Sequence, residues 1–149
     1  YTTRLCQPTE YSQISHVVAD GSWEAYAANV LEKFGREKII TSYAKNDHLG
    51  FNIYYMWNGS KRKYVPDFLI RLANGKSLVL EIKGQDSDQN KAKRIALDMW
   101  VKAVNQKGGF GTWCWDVVKE EPSRMHDVIL EHAKSATYSK PIGELFLDL

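Results

Sequence analysis

The sequence predicts an α/β chain of α+β organisation: a mixed central sheet flanked by helices, in the order α-β-β-β-β-α-β-α. Two Asn-Gly pairs, Asn58-Gly59 and Asn74-Gly75, separate runs rich in β-branched and aromatic residues, and Asn-Gly is a strong hairpin signal. They predict three antiparallel strands in a meander. A long segment of helical period then lies between a strand at residues 77–83 and another at 111–118. A crossover of that length makes those two strands parallel, so the sheet carries both senses of pairing.

Residues 1–20 are polar and irregular, and are expected to form a lead-in or an edge strand. Asp20-Gly21-Ser22 marks a helix start, with Ser22 as candidate N-cap. Trp23, Ala27, Val30, Leu31 and Phe34 then recur at helical spacing, and Gly35 is expected to end the helix. Residues 39–44, 51–57 and 63–72 read as strands. Residues 77–83 follow as a buried strand carrying Leu78, Leu80 and Ile82, and 84–88 as a polar loop.

The long helix is expected over residues 89–106. Ala92, Ile95, Ala96, Met99, Trp100 and Ala103 form its apolar stripe, and Lys107-Gly108-Gly109 ends it. Trp113, Trp115 and Val117 lie on the strand at 111–118. A terminal helix is expected over 122–134, with Pro122 in its first turn. The apolar tail Leu145, Phe146, Leu147 and Leu149 is expected to dock on the core or on neighbouring segments.

A length of 149 residues fits one domain, 1–149. Hydrophobic residues at 44% suffice for an ordinary core. A net charge of +2 neither demands nor excludes nucleic acid, so clustering of the basic residues decides. Cys6 and Cys114 form no CxxC pair, which argues against a disulfide framework or zinc site and suits a reducing cytoplasm. The four histidines show no zinc spacing; His126 and His132, six apart on a helix, face different directions. No apolar run approaches the roughly 18 residues of a membrane span. There is no GxxxxGK[ST] phosphate loop, so ATP chemistry would lie outside this piece. The first residue is Tyr, and the chain is expected to be a fragment of a larger multidomain protein.

The chemistry concentrates at Pro66-Asp67 and Glu81-Ile82-Lys83. Strand side chains alternate, so Glu81 and Lys83 share a face while Leu80 and Ile82 point into the core. The Asn74-Gly75 turn folds the Asp67 strand back beside Glu81. Neighbouring strands lie about 4.8 Å apart, so both carboxylates reach one metal ion if the strands splay at that end. Pro66 cannot donate to a ladder and marks an edge or bulge there.

Mg²⁺ takes hard oxygen ligands, commonly one or two carboxylates with several waters. Asp67 and Glu81 supply two, and the Ile82 carbonyl a third oxygen. A cation there stabilises charge on a phosphate and acidifies an attacking water. Lys83 either orients and deprotonates that water or offsets the developing charge; neighbouring carboxylates favour the electrostatic role. An isolated Glu-x-Lys is commonly a cross-strand ion pair. The flanking Pro-Asp, the buried strand and the long helix make the combination more specific.

Basic residues cluster in two places. Lys61-Arg62-Lys63 sits at a hairpin near Asp67 and is a candidate grip on backbone phosphate. Lys91, Arg94 and Lys102 are expected on the side of the long helix away from its stripe, for phosphate contact or as a solvated face. Lys45-Asn46-Asp47-His48 is expected to be a polar turn.

The runs Tyr64-Val65-Pro66-Asp67-Phe68-Leu69 and Leu80-Glu81-Ile82-Lys83-Gly84 resemble the PD-(D/E)xK nuclease superfamily. More narrowly, the chain resembles the C-terminal endonuclease domain of the restriction subunit of type III restriction–modification enzymes. Trp23-Glu24, Lys45-Asn46-Asp47 through Leu49-Gly50-Phe51, the helix from Ala92-Lys93 to Trp100-Val101, Ala103-Val104-Asn105 and Gly111-Thr112-Trp113 support the likeness, which covers about residues 22–118.

The resemblance implies a restriction-endonuclease-like sheet and a catalytic trio of Asp67, Glu81 and Lys83. It implies Mg²⁺, replaceable by Mn²⁺, held by Asp67, Glu81, Ile82 and an additional acidic position at Glu24. Lys93 matches the supporting position on the following helix, with Gln89 a weaker option. The implied substrate is double-stranded DNA. The implied partners are an ATP-driven helicase-type motor in the same full-length protein, a methyltransferase subunit that reads sequence, and a second nuclease copy for double-strand cleavage. Two alternatives stand beside this: a nuclease-like fold kept for DNA docking or assembly, and another superfamily nuclease, of transposon or repair type.

Overall fold

The chain folds as β1 (Leu5–Pro8), β2 (His16–Ala19), α1 (Ser22–Arg36), β3 (Ile40–Lys45), β4 (Ile53–Trp57), β5 (Ser60–Tyr64), β6 (Phe68–Leu72), β7 (Ser77–Lys83), α2 (Asp88–Lys107), β8 (Trp113–Lys119) and α3 (Arg124–Ala133). This computed structural model describes residues 5–11, 16–19, 22–46, 50–83, 87–119 and 121–143, with the backbone alone for 5–8, 16–19 and 22. Asp20-Gly21, Asp47-His48, the start of the loop after Lys83 and the apolar tail from 144 lie outside the described residues.

The central sheet has the order β3-β6-β7-β8. Its first two pairings are antiparallel, and β7 runs parallel to β8 from Ser77↔Trp113 to Lys83↔Lys119, with α2 as the crossover. The mixed α+β class and the parallel pairing agree with the sequence. Ser77 to Glu81 are all buried, because β7 is covered on both faces. On one face Leu31 and Phe34 of α1 and Met125 and Ile129 of α3 pack against Phe68, Ile70, Leu78 and Leu80. On the other, Leu97 and Val101 of α2 join Ile53, Tyr55 and Tyr64 against Val79, Trp115 and Val117. Among the described residues no helix is long and apolar enough to cross a membrane.

Three expectations change. The meander is not continuous: β4 and β5 form their own two-stranded sheet, and the strand expected at 63–72 breaks at Val65-Pro66-Asp67. Pro66 has no N–H to offer a ladder, so pairing stops and restarts around it. The Asn58-Gly59 hairpin itself forms, with φ of 49° and 75°, the two left-handed positions of a type I′ turn. The lead-in contains an antiparallel pair, β1 with β2.

Gly35 does not end α1. It lies inside the helix, and a Cβ there would collide with the Tyr11 ring. Lys38, at φ 62°, takes the left-handed position instead, and Ile39 N–H closes back on the Phe34 carbonyl (3.0 Å).

The α2 stripe is rotated from the expected register, although Ala92, Ala96 and Trp100 pack against the core as expected. Leu97 and Val101 are buried, whereas Ile95 (47%) and Met99 (67%) are exposed. Arg94, expected to face solvent, is 1% exposed. Trp115 and Val79 dictate which side of the helix is covered. Ser87 caps its N-terminus by accepting Asn90 N–H, and Gly108 ends it at φ 74°.

A buried polar chain fastens the segment after α3. Lys76 Nζ donates to the Thr137 carbonyl and to Ser139 Oγ, both at 2.9 Å. Ser139 Oγ meets His132 Nδ1 at 2.6 Å, and His132 Nε2 meets Asp116 Oδ2 at 2.7 Å. Asp116 also accepts the Ile142 and Gly143 N–H groups, so its carboxylate is committed to holding backbone. His132 and Asp116 are fully enclosed, which gives this Ser-His-Asp chain a structural role rather than a nucleophilic one.

Candidate functional site

The site forms where β6 and β7 part. Their ladder runs from Arg71↔Ser77 to Phe68↔Leu80. One step further, Asp67 does not continue it with its backbone. Its carboxylate accepts the Ile82 N–H instead, Oδ2 to N 2.8 Å. The other edge of Asp67 stays in register, its carbonyl accepting the Asn46 N–H (2.8 Å) beyond the Lys45↔Phe68 pair. The break at Pro66 thus turns the Asp67 side chain toward β7, as the splay inferred from the sequence requires.

Glu81, on β7, is 2% exposed. Its Oε1 pairs with Lys83 Nζ at 2.7 Å, and its Oε2 accepts the Tyr64 hydroxyl. Glu81 and Lys83 do share a face, as strand alternation demands. Burial and the nearby Glu81 charge push the Asp67 carboxyl up to about 8, against the opposing Ile82 hydrogen bond and Lys83 charge; Glu24 adds to the upward push. Burial and Glu81 raise the Tyr64 phenol well above its usual value, partly offset by the charge of Arg94.

Glu24, in the first turn of α1, pairs with Lys45 Nζ (3.3 Å). Lys45 ends β3 as a buried strand residue rather than opening a polar turn. The field of Glu24 reaches Asp67, but among the described residues no three His, Cys, Asp or Glu side chains gather into a metal-ready group. Asp67 and Glu81 are the two carboxylates that meet at this break. Burial and the Glu81 charge favour the protonated Asp67 carboxyl, a penalty that a divalent cation bound there would relieve, and two carboxylates with water suit Mg²⁺. Ile82 stands at the site through its backbone.

The helix residues divide. Lys93 Nζ lies 5.7 Å from the centroid of the Tyr64 ring, whose hydroxyl meets Glu81. Gln89 donates to the Tyr55 hydroxyl (2.8 Å) instead. Lys91 is half-buried in the first turns of α2. Arg94 is not available to a phosphate from its buried position. Lys102 is tied to Asp98 (2.7 Å), which also accepts the Trp115 indole N–H. Lys61, Arg62 and Lys63 are exposed along β5, with Lys61 over the Tyr54 ring at 4.5 Å.

Sequence reasoning gave no role to Tyr64 or Lys45. Tyr64 is the sole buried residue of β5, and an aromatic at the end of a basic run just before Pro66-Asp67 was its available signal. Lys45 carried none, because its burial depends on pairing with Glu24 from another element.

No family model and no curated protein matches the chain. Among solved structures it is similar to the crystal structure of protein VC1899 from Vibrio cholerae, at 13% identity and a TM-score of 0.41. The likeness covers 93% of this chain and 35% of that one, so the chain spans about a third of its length.

Proposed function

We propose that this chain is a divalent-metal-dependent DNA endonuclease domain that hydrolyses phosphodiester bonds, and that it is the cleavage module of a type III restriction enzyme. One observation carries the first part: Asp67 turns out of its ladder onto Ile82 and comes into the field of Glu81, beside the Glu81–Lys83 ion pair. The narrower restriction assignment rests on the sequence resemblance over residues 22–118.

Asp67, Glu81 and the Ile82 carbonyl would hold Mg²⁺ or Mn²⁺, with Glu24 as an outer carboxylate. Such a cation supplies charge neutralisation at the phosphate and an acidified water nucleophile. Lys83 offsets negative charge developing on the phosphate oxygens as water attacks phosphorus. Its 2.7 Å pairing with Glu81 keeps it aimed along the carboxylate face. Lys93 adds positive charge beside Tyr64. The exposed Lys61, Arg62 and Lys63 grip the backbone of double-stranded DNA without reading its sequence. The helicase-type motor, the methyltransferase subunit and a second copy for double-strand breaks belong to this same proposal.

The near-complete burial of Glu81 favours one second reading, a nuclease-like fold retained for DNA docking or assembly. Nicking of supercoiled plasmid separates the two. The nuclease reading expects nicking with Mg²⁺ or Mn²⁺ that EDTA and Glu81→Ala both abolish. Metal-dependent nicking that survives Glu81→Ala refutes this site. DNA binding without nicking, in the presence of its motor and methyltransferase partners, selects the docking reading.

A further inference from the structure

We propose that Tyr64 is a positioning residue for Glu81, fixing its carboxylate so that its free lone pairs face a divalent cation. This rests on the reading of Asp67 and Glu81 as a cation site. A carboxylate offers about four lone-pair positions on its two oxygens. Lys83 occupies one on Oε1 and the Tyr64 hydroxyl one on Oε2. Two remain, one on each oxygen, and the plane that carries them is pinned from both ends.

The placement of Tyr64 suits that task. It is the last residue of β5, opposite Ile53, and 3% exposed. Its ring packs in the core cluster of Val79, Leu97 and Trp115, and Lys93 stands over its face. The phenol therefore has little freedom of its own. Only Val65 and Pro66 separate it from Asp67, so one short segment delivers both the cation-facing carboxylate and the hydroxyl that orients its partner. Groups that hydrogen-bond to metal-ligating side chains commonly change metal affinity about 10- to 100-fold when removed.

Calorimetric titration of Mn²⁺ into the native chain, Tyr64→Phe and Glu81→Ala tests this. Phe keeps the ring and removes only the hydroxyl, so a purely packing role predicts no change. Positioning predicts Mn²⁺ affinity about 10-fold weaker or more in Tyr64→Phe. If Glu81→Ala loses affinity while Tyr64→Phe binds within twofold of the native chain, the Tyr64 proposal alone fails. If the native chain binds no Mn²⁺, or Glu81→Ala binds as well as the native chain, the cation site falls and this proposal with it. A second readout needs no variant to fold: the carbon-13 resonance of the Tyr64 phenol carbon should shift as Mg²⁺ is added to the native chain. An unmoved resonance at saturating Mg²⁺ overturns the proposal.

Discussion

Asp67 Oδ2 accepts the backbone N–H of Ile82 at 2.8 Å, across the point where the β6–β7 ladder ends. This bond converts a broken backbone pairing into a side-chain one. It satisfies the Ile82 donor that the parting strands would orphan, and it carries a carboxylate into the field of Glu81. The local fold and the proposed chemistry therefore depend on the same atom.

Burial and the nearby Glu81 charge raise the Asp67 carboxyl to about 8, against about 3.9 for an unfolded aspartate. A group whose folded pKa is raised stabilises the fold below its unfolded value, and that stability is lost as pH rises through the folded value. Asp67→Asn mimics the protonated form and keeps an acceptor for Ile82. In EDTA, its melting temperature should exceed that of the native chain at pH 9 by about 3 °C or more, given roughly 2–4 °C per kcal/mol. The gap should close toward pH 4. Thermal melts showing a constant or reversed gap would contradict the assignment.

Lys83→Ala should lower plasmid nicking by about 10²-fold or more while leaving DNA binding within a few fold, as for loss of a group that acts on transition-state charge. Nicking assays paired with gel-shift titrations in EDTA read both numbers. Retained nicking would remove Lys83 from the chemistry.

The basic residues should separate by burial. Replacing Lys61, Arg62 and Lys63 together by alanine should lower the slope of log affinity against log salt by up to about 2.7, at up to about 0.9 per phosphate contact, with stability unchanged. Arg94→Ala should leave that slope alone and cost about 2 kcal/mol or more of folding stability, because its guanidinium is enclosed. Salt-dependent binding isotherms and urea melts distinguish the two; a flat slope in the triple variant excludes the β5 grip.

Burial pushes the Cys114 thiol up to about 12. The thiolate is the reactive form, so Cys114 should resist iodoacetamide at pH 8 in the folded chain and react in urea. Peptide mass mapping after labelling locates the modified cysteine. Rapid native labelling at Cys114 would show that β8 is not enclosed as described.

Elements fixed by local chemistry were legible in the sequence. Strand β7 and the Asn58-Gly59 turn form where expected, and Pro66 breaks pairing as a residue without N–H must. Two other expectations failed because of a distant neighbour. Gly35 looked like a helix end, but its missing side chain makes room for Tyr11. In α2, Ala92, Ile95, Ala96 and Met99 offered a plausible stripe. Leu97, Val101 and Arg94 offered a second, and the position of Trp115 and Val79 decides between them.

The candidate site divides in the same way. The Glu81–Lys83 ion pair follows from strand alternation alone. The Tyr64 hydroxyl reaches Glu81 from a separate two-stranded sheet, and Lys45 meets Glu24 from another element. No residue spacing announces either contact.

The most direct test of a cation site at the end of the β6–β7 ladder is paramagnetic broadening of backbone amide resonances by substoichiometric Mn²⁺. Amides of Asp67, Ile82 and Lys83 should broaden first, and the effect should vanish in the Asp67→Ala, Glu81→Ala double variant. Broadening centred elsewhere, or unchanged in that variant, would contradict the site.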